Sequence, residues 1–185
     1  LAVLGFLISG GSALAQDNNL PSPGITPESP FYFLDKLGEA LQEFFTFNPE
    51  GKAHLQISFA AERIAEIKII LETKGVEAEG LRVAQSRLQA HLGGAAEIVV
   101  KQKNKGKDVS TLAKELNDEF EAPKVALSQT FKEQKQALEA KKDELKARIR
   151  EARRVNDTAL VESLSGQLDE IKAQKELLEL KEDEQ

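Results

Sequence analysis

Apolar residues along this chain recur three and four positions apart, the spacing that gathers them on one face of a helix. Residues 30–45 hold Leu34, Leu37, Leu41 and Phe44 in that rhythm, with Phe31 and Phe45 widening the stripe. Ser29-Pro30 predicts the start, because serine accepts from first-turn amides and proline has no amide to orphan there. Asn48-Pro49 repeats the signal, so Thr46-Phe47 reads as a hinge before a second helix over residues 49–74. Its seam is Ile57, Ala60, Ile64, Ile67 and Leu71, and Gly75 is a natural stop. A third helix, residues 77–104, carries Leu81, Ala84, Leu88, Leu92, Ala95 and Val99.

If the chain reverses at Gly75-Val76, positions equidistant from the turn meet. Leu71 then faces Leu81, Ile67 faces Ala84 or Gln85, Ile64 faces Leu88, and Ile57 faces Ala95. Two independent stripes agree in register, which predicts an αα-hairpin.

Gly106 closes the third helix and Asp108 caps a fourth, whose stripe runs Leu112, Leu116, Phe120 to Pro123. A proline inside a helix costs about 3 kcal/mol, so a kink or break is expected near residues 121–123. Leu127, Phe131, Leu138, Leu145, Ile149 and Ala152 continue sparsely to about Arg154. After a turn at Val155-Asn156-Asp157, a last helix shows Val161, Leu164, Leu168, Ile171 and Leu178 in heptad spacing. Folding back pairs Ile149 with Leu164 and Leu145 with Leu168. Lys175 and Glu182 interrupt that seam, and residues 179–185 are expected to fray.

The fold class is therefore all-α: antiparallel helical hairpins, a helix bundle with a coiled-coil-like C-terminal hairpin. Its expected divisions are a signal peptide (1–15), a Pro-rich extended linker (16–29), a helical domain (30–122) and a long C-terminal αα-hairpin (123–185).

Composition narrows the function. Only 5% of residues are aromatic against 30% charged, so narrow helix seams are expected in place of a thick core. Formal net charge is −6, which repels a nucleic-acid backbone, and no nucleic-acid partner is expected. With no Cys there are no disulfides, thiolate nucleophiles or cysteine-bound zinc. Residues 1–15 carry no charge and end in Ser12-Ala13-Leu14-Ala15, an A-x-A cleavage pattern before Gln16. Fifteen residues fall short of the ~20 that span a bilayer, so cleavage and export to the periplasm, cell surface or medium are expected.

Candidate chemistry is sparse. His54 and His91 sit in no metal-ligand spacing, and the hairpin register places His91 near Glu62, where a structural hydrogen bond is the plain reading. No nucleophile elbow, phosphate loop or paired catalytic carboxylates appear, so the sequence predicts no catalytic residues, no metal, no cofactor and no small-molecule substrate. Gly93-Gly94 reads as close helix approach or a local bend. Lys101, Lys103, Lys105 and Lys107, with Arg148, Arg150, Arg153 and Arg154, complement helix C-termini. Weak contact with an anionic membrane or wall polymers is their secondary reading. The acidic stretch 176–184 reads as a solvated helix end, not a calcium loop. Phe31, Tyr32, Phe33, Phe44, Phe45 and Phe47 are the densest apolar material after residue 15. The first helix is expected to lie across the hairpin and bury roughly four of them, leaving the rest as the candidate partner-binding surface.

The phrase Pro23-Gly24-Ile25-Thr26-Pro27-Glu28-Ser29-Pro30-Phe31-Tyr32-Phe33-Leu34, with Phe44-Phe45-Thr46-Phe47-Asn48-Pro49-Glu50 and Lys52-Ala53, resembles a family of unknown function from exported bacterial and archaeal proteins. The resemblance covers about residues 20 to 130 and implies an extracytoplasmic helical module without catalytic residues to carry over. Gly51 departs from the helix-favouring residue expected there. The functional expectation is a non-catalytic interaction or scaffold protein of the cell envelope, engaging a protein partner or itself. A periplasmic helical chaperone, or stress-sensor-like binder of unfolded proteins, is the alternative.

Overall fold

Five helices and their connections account for residues 20–183, the part of the chain that the computed structural model describes. The signal-peptide expectation and the start of the linker lie outside the described residues.

Helix α1 (Tyr32–Phe45) starts two residues later than its sequence signal, since Ser29 Oγ accepts from the Phe31 amide at 3.2 Å and holds one preceding turn. Helix α2 (Pro49–Thr73) begins as expected, with Asn48 accepting from the Gly51 amide. Helix α3 (Glu79–Asn104) folds back on α2 after the turn at Gly75. The two stripes pack on each other: Ala60, Ile64, Ile67 and Leu71 share one buried cluster with Leu81, Ala84 and Leu88, and Ile57 shares a second with Ala95.

Helix α4 (Ser110–Arg154) runs for 45 residues, about 67 Å at 1.5 Å per residue. The cap position expected at Asp108 falls to Val109, which offers no side-chain acceptor, while Asp108 Oδ1, one residue earlier, accepts from the Ser110 amide at 2.9 Å. The break expected near residues 121–123 does not occur, and α4 passes through buried Pro123 as one helix. Leu116 and Phe120 before the proline and Leu127 and Phe131 after it pack on the same hairpin, and that burial carries the helix past one missing hydrogen bond. The division expected between 122 and 123 thus falls inside a helix.

Leu112 and Leu116 join the cluster of Ala53, Ile57 and Ala95, while Leu127 and Phe131 join that of Ile64 and Leu88. Thus α4 runs up beside α2, and α2, α3 and the first half of α4 form an up-down-up bundle. The second half of α4 continues past the α2–α3 turn. Helix α5 (Thr158–Asp183) returns along it, burying Leu164 against Leu145 and Ile149.

The end of α5 is docked among the described residues, not frayed. Leu178 is buried in the bundle core, and Gln85 Nε2 donates to the Lys181 carbonyl at 2.9 Å. The two polar residues that interrupt the heptad seam pair across it: Lys175 Nζ lies 3.0 Å from Glu139 Oε2, and Glu182 pairs with Lys135. Among the described residues no helix is long and apolar enough to cross a membrane.

Candidate interaction surface

Helix α1 is mounted with its apolar face outward. Leu34, Leu37, Leu41 and Phe44, the stripe expected to meet the hairpin, are all exposed, as are Phe31, Phe33, Phe45 and Phe47; the eight range from 48% to 83%. Of the six aromatic residues singled out in the sequence, Tyr32 alone is buried. The expectation that α1 buries roughly four of them is therefore overturned. Phe44 and Phe45 touch edge to face, with ring centroids 5.3 Å apart.

The reason lies on the opposite side of the helix. Tyr32, Asp35 and Glu39 follow at three- and four-residue spacing and face Arg63 of α2, whose side chain is completely buried. Arg63 Nη1 donates to Tyr32 Oη at 3.0 Å, and Nη2 lies 3.0 Å from Asp35 Oδ2 and 2.9 Å from Glu39 Oε1. Its own helix adds Glu66 at 3.0 Å and Glu62 at 3.5 Å. From α3, Arg87 Nη1 donates to Glu39 Oε2 at 3.1 Å and its guanidinium lies 5.3 Å from the Tyr32 ring centroid. A charge buried without partners is far costlier than one that is paired, so this cluster fixes which face of α1 turns inward.

Four carboxyl groups share two guanidiniums here. Burial pushes Glu66 up to about 8, and the charge of Arg63, divided among several acids, does not offset that; Glu66 therefore holds a proton at neutral pH. Burial also raises Glu39 and Glu62. His91 is pulled down to about 4 by burial and by the charges of Arg63 and Arg87, so its ring is neutral.

His91 does not meet Glu62 as the hairpin register suggested. Its Nδ1 lies 2.8 Å from Gln56 Oε1 and its ring sits beside Phe59, with Glu39 3.9 Å from Nε2. Gln56 in turn occupies the space that a Cβ at Gly94 would enter, 3.1 Å from that position, so Gly94 serves a close approach. His54 pairs with Glu119 at 2.7 Å on the α4 side. Among the described residues, no group of three His, Cys, Asp or Glu side chains is arranged to hold a metal ion.

The segment before α1 straps it in place. Glu28 Oε1 accepts from the Gly80 amide at 3.2 Å and caps α3, whose own N-cap residue, Ala78, has no side-chain acceptor. Any side chain at residue 80 would collide with Glu28, its Cβ falling 2.6 Å from Cγ. The Pro-rich phrase thus contains a cap for one helix in Glu28 and a ligand for a buried arginine in Tyr32.

The basic residues at the helix ends are partly neutralised within their own helices. Lys101 lies 2.6 Å from Glu97, and Arg154 forms a two-pronged pair with Glu151 at 3.0 and 2.7 Å.

Sequence reading missed the charge cluster. Its signal was present: in the run Phe59-Ala60-Ala61-Glu62-Arg63-Ile64-Ala65-Glu66-Ile67, apolar residues surround the helix on every side, so Arg63 and Glu66 have no exposed face to occupy.

A domain family described as Domain of unknown function (DUF5667) matches residues 24–184, and the chain belongs to it. The match extends well beyond residue 130 to take in the C-terminal hairpin, where heptad-patterned helix gives no motif to read by eye. No curated protein and no solved structure matches the chain.

Proposed function

We propose that this family member is a non-catalytic interaction module of the cell envelope, exported and processed before Gln16, which docks a partner through the outward face of α1. One observation carries the reading: a helix with a continuous apolar stripe presents that stripe to solvent while its acidic face is locked onto buried Arg63. Monomeric soluble proteins rarely leave contiguous apolar patches uncovered, and those they leave mark contact sites. The bonds from Arg63 to Tyr32, Asp35 and Glu39 hold the stripe outward before a partner arrives, which lowers the ordering that binding requires.

A photo-crosslinking residue placed at Leu41 or Phe44 in cells is expected to give discrete protein adducts. The same residue at Glu162, exposed on α5, gives none. Absence of adducts from every position on the α1 stripe refutes the reading. Mass spectrometry of the mature N-terminus tests the export step, and a chain that stays in the cytoplasm refutes that part.

Exposed aromatic residues also favour a second reading, a periplasmic holdase that captures unfolded chains on the same face. It requires suppression of aggregation that is lost in the Phe31→Ser plus Phe45→Ser double variant.

A further inference from the structure

The α1 stripe has an internal symmetry that a partner of unrelated sequence would not require. Counting outward from Glu39, the exposed apolar positions fall in mirrored pairs: Leu37 with Leu41, Leu34 with Phe44 and Phe33 with Phe45 within α1, and Phe31 with Phe47 just beyond its two ends. Three of the four pairs are identical residues and the fourth is Leu with Phe. Glu39 itself points the other way, into the arginine cluster, so the centre of the stripe is free of charge.

In an antiparallel helix pair related by a two-fold axis, residue i of one copy meets residue j of the other while j meets i. A face whose residues repeat by size about its midpoint satisfies both contacts at once. We propose that two copies of this chain associate through α1, antiparallel, with the two-fold axis at the level of Glu39. This rests on the reading of α1 as a docking face and names its occupant.

Size agrees with symmetry. At roughly 200 Å² per large apolar side chain, the exposed fractions give on the order of 1,000 Å² per copy, against about 800 Å² per partner in a standard stable interface. Charge argues against a lipid occupant, since a net charge of −6 is repelled by an anionic bilayer whereas the stripe itself carries no charge. A second copy also resolves a conflict internal to α1. The acidic face stays on Arg63 while the apolar face leaves water, which no rotation of α1 within one chain achieves.

Light scattering on the purified chain at micromolar concentration is expected to give twice the chain mass, falling to the single-chain mass in Leu37→Glu plus Leu41→Glu, with helix content by circular dichroism unchanged. Because the chain has no Cys, single cysteines report the register cleanly. A mixture of Leu37→Cys and Leu41→Cys chains is expected to oxidise at least several-fold faster to the mixed disulfide than either variant alone. A monomer overturns the proposal, and so does a dimer indifferent to the stripe or one that crosslinks 37 to 37 preferentially. A monomer that sediments with anionic vesicles overturns it in favour of a membrane surface. A monomer whose Leu41 still photo-crosslinks other proteins overturns the self-pairing yet leaves the docking face standing; loss of both removes the two readings together.

Discussion

Helices α1 and α2 are both rich in apolar residues, yet they settle opposite conflicts in opposite ways. In α2 the apolar residues go inside and take two ionisable side chains with them, Arg63 and Glu66. In α1 the charges go inside and the apolar residues stay out. The first fact causes the second. Once Ile64, Ile67 and Ile70 have buried α2 against α3 and α4, Arg63 is out of reach of water and must find acids. Only a helix with Tyr32, Asp35 and Glu39 on one face brings them. Losing a buried ion's partners costs about 3–5 kcal/mol, and that penalty is concentrated at one point. The gain from the stripe is spread over many side chains and remains available to whatever covers it.

Removing the buried cation should disturb both helices most. Arg63→Met takes from the buried cluster the guanidinium that Tyr32, Asp35 and Glu39 share and is expected to destabilise the fold by about 3–5 kcal/mol in urea titration. Loosening of α1 should accompany it, seen as faster amide exchange over residues 32–45. A stable variant with α1 still protected would show that the cluster does not set the helix's orientation.

Next in size is the seam itself. Leu88→Ala, deleting a side chain only 1% exposed, is expected to cost roughly 2–5 kcal/mol without changing exchange in α1 more than elsewhere.

The charge cluster also predicts a pH dependence. Glu66 binds its proton more tightly folded, at about 8, than at its ordinary value of 4.5, so its stabilising contribution is complete below 4.5 and is lost as pH rises through 8. His91 is lowered to about 4 from 6.5, so its contribution is present above 6.5 and is lost as pH falls through 4. Between 6.5 and about 8 the His91 contribution is complete while that of Glu66 is still being lost, and stability is expected to decline by up to about 1 kcal/mol per pH unit. Glu66→Gln should flatten that decline; an unchanged slope would locate the titrating group elsewhere.

The smallest effect belongs to the stripe. In solution dilute enough to keep copies apart, Leu37→Ser is expected to change unfolding free energy by no more than about 0.5 kcal/mol, because its side chain is already more than half exposed. A loss comparable to that of Leu88→Ala would mean that α1 does bury its stripe in the free chain.

Much of the architecture was readable from residue spacing. The pairing of Ile64 with the Leu88 region and of Ile149 with Leu164 follows from counting outward from two turns, and the structure places each pair in one buried cluster. The cap at Asn48 was equally legible, since it acts within three residues, and Asp108 missed the cap of α4 by one position. Spacing erred at Pro123, where packing on both sides outweighs a local penalty, and at the end of α5, where Leu178 reaches a core supplied by distant helices. It erred most at α1. Its periodicity correctly gave an amphipathic helix, but the rule that the apolar side faces inward assumes that the neighbour offers an apolar surface.

What the amino-acid order determined by itself is therefore local: where helices begin and stop, which residues share a face, and which hairpins close. Which face of α1 meets the bundle is instead settled by the packing of distant helices. That choice depends on how deeply Arg63 is desolvated, a property set by three helices together and carried by no stretch of sequence alone.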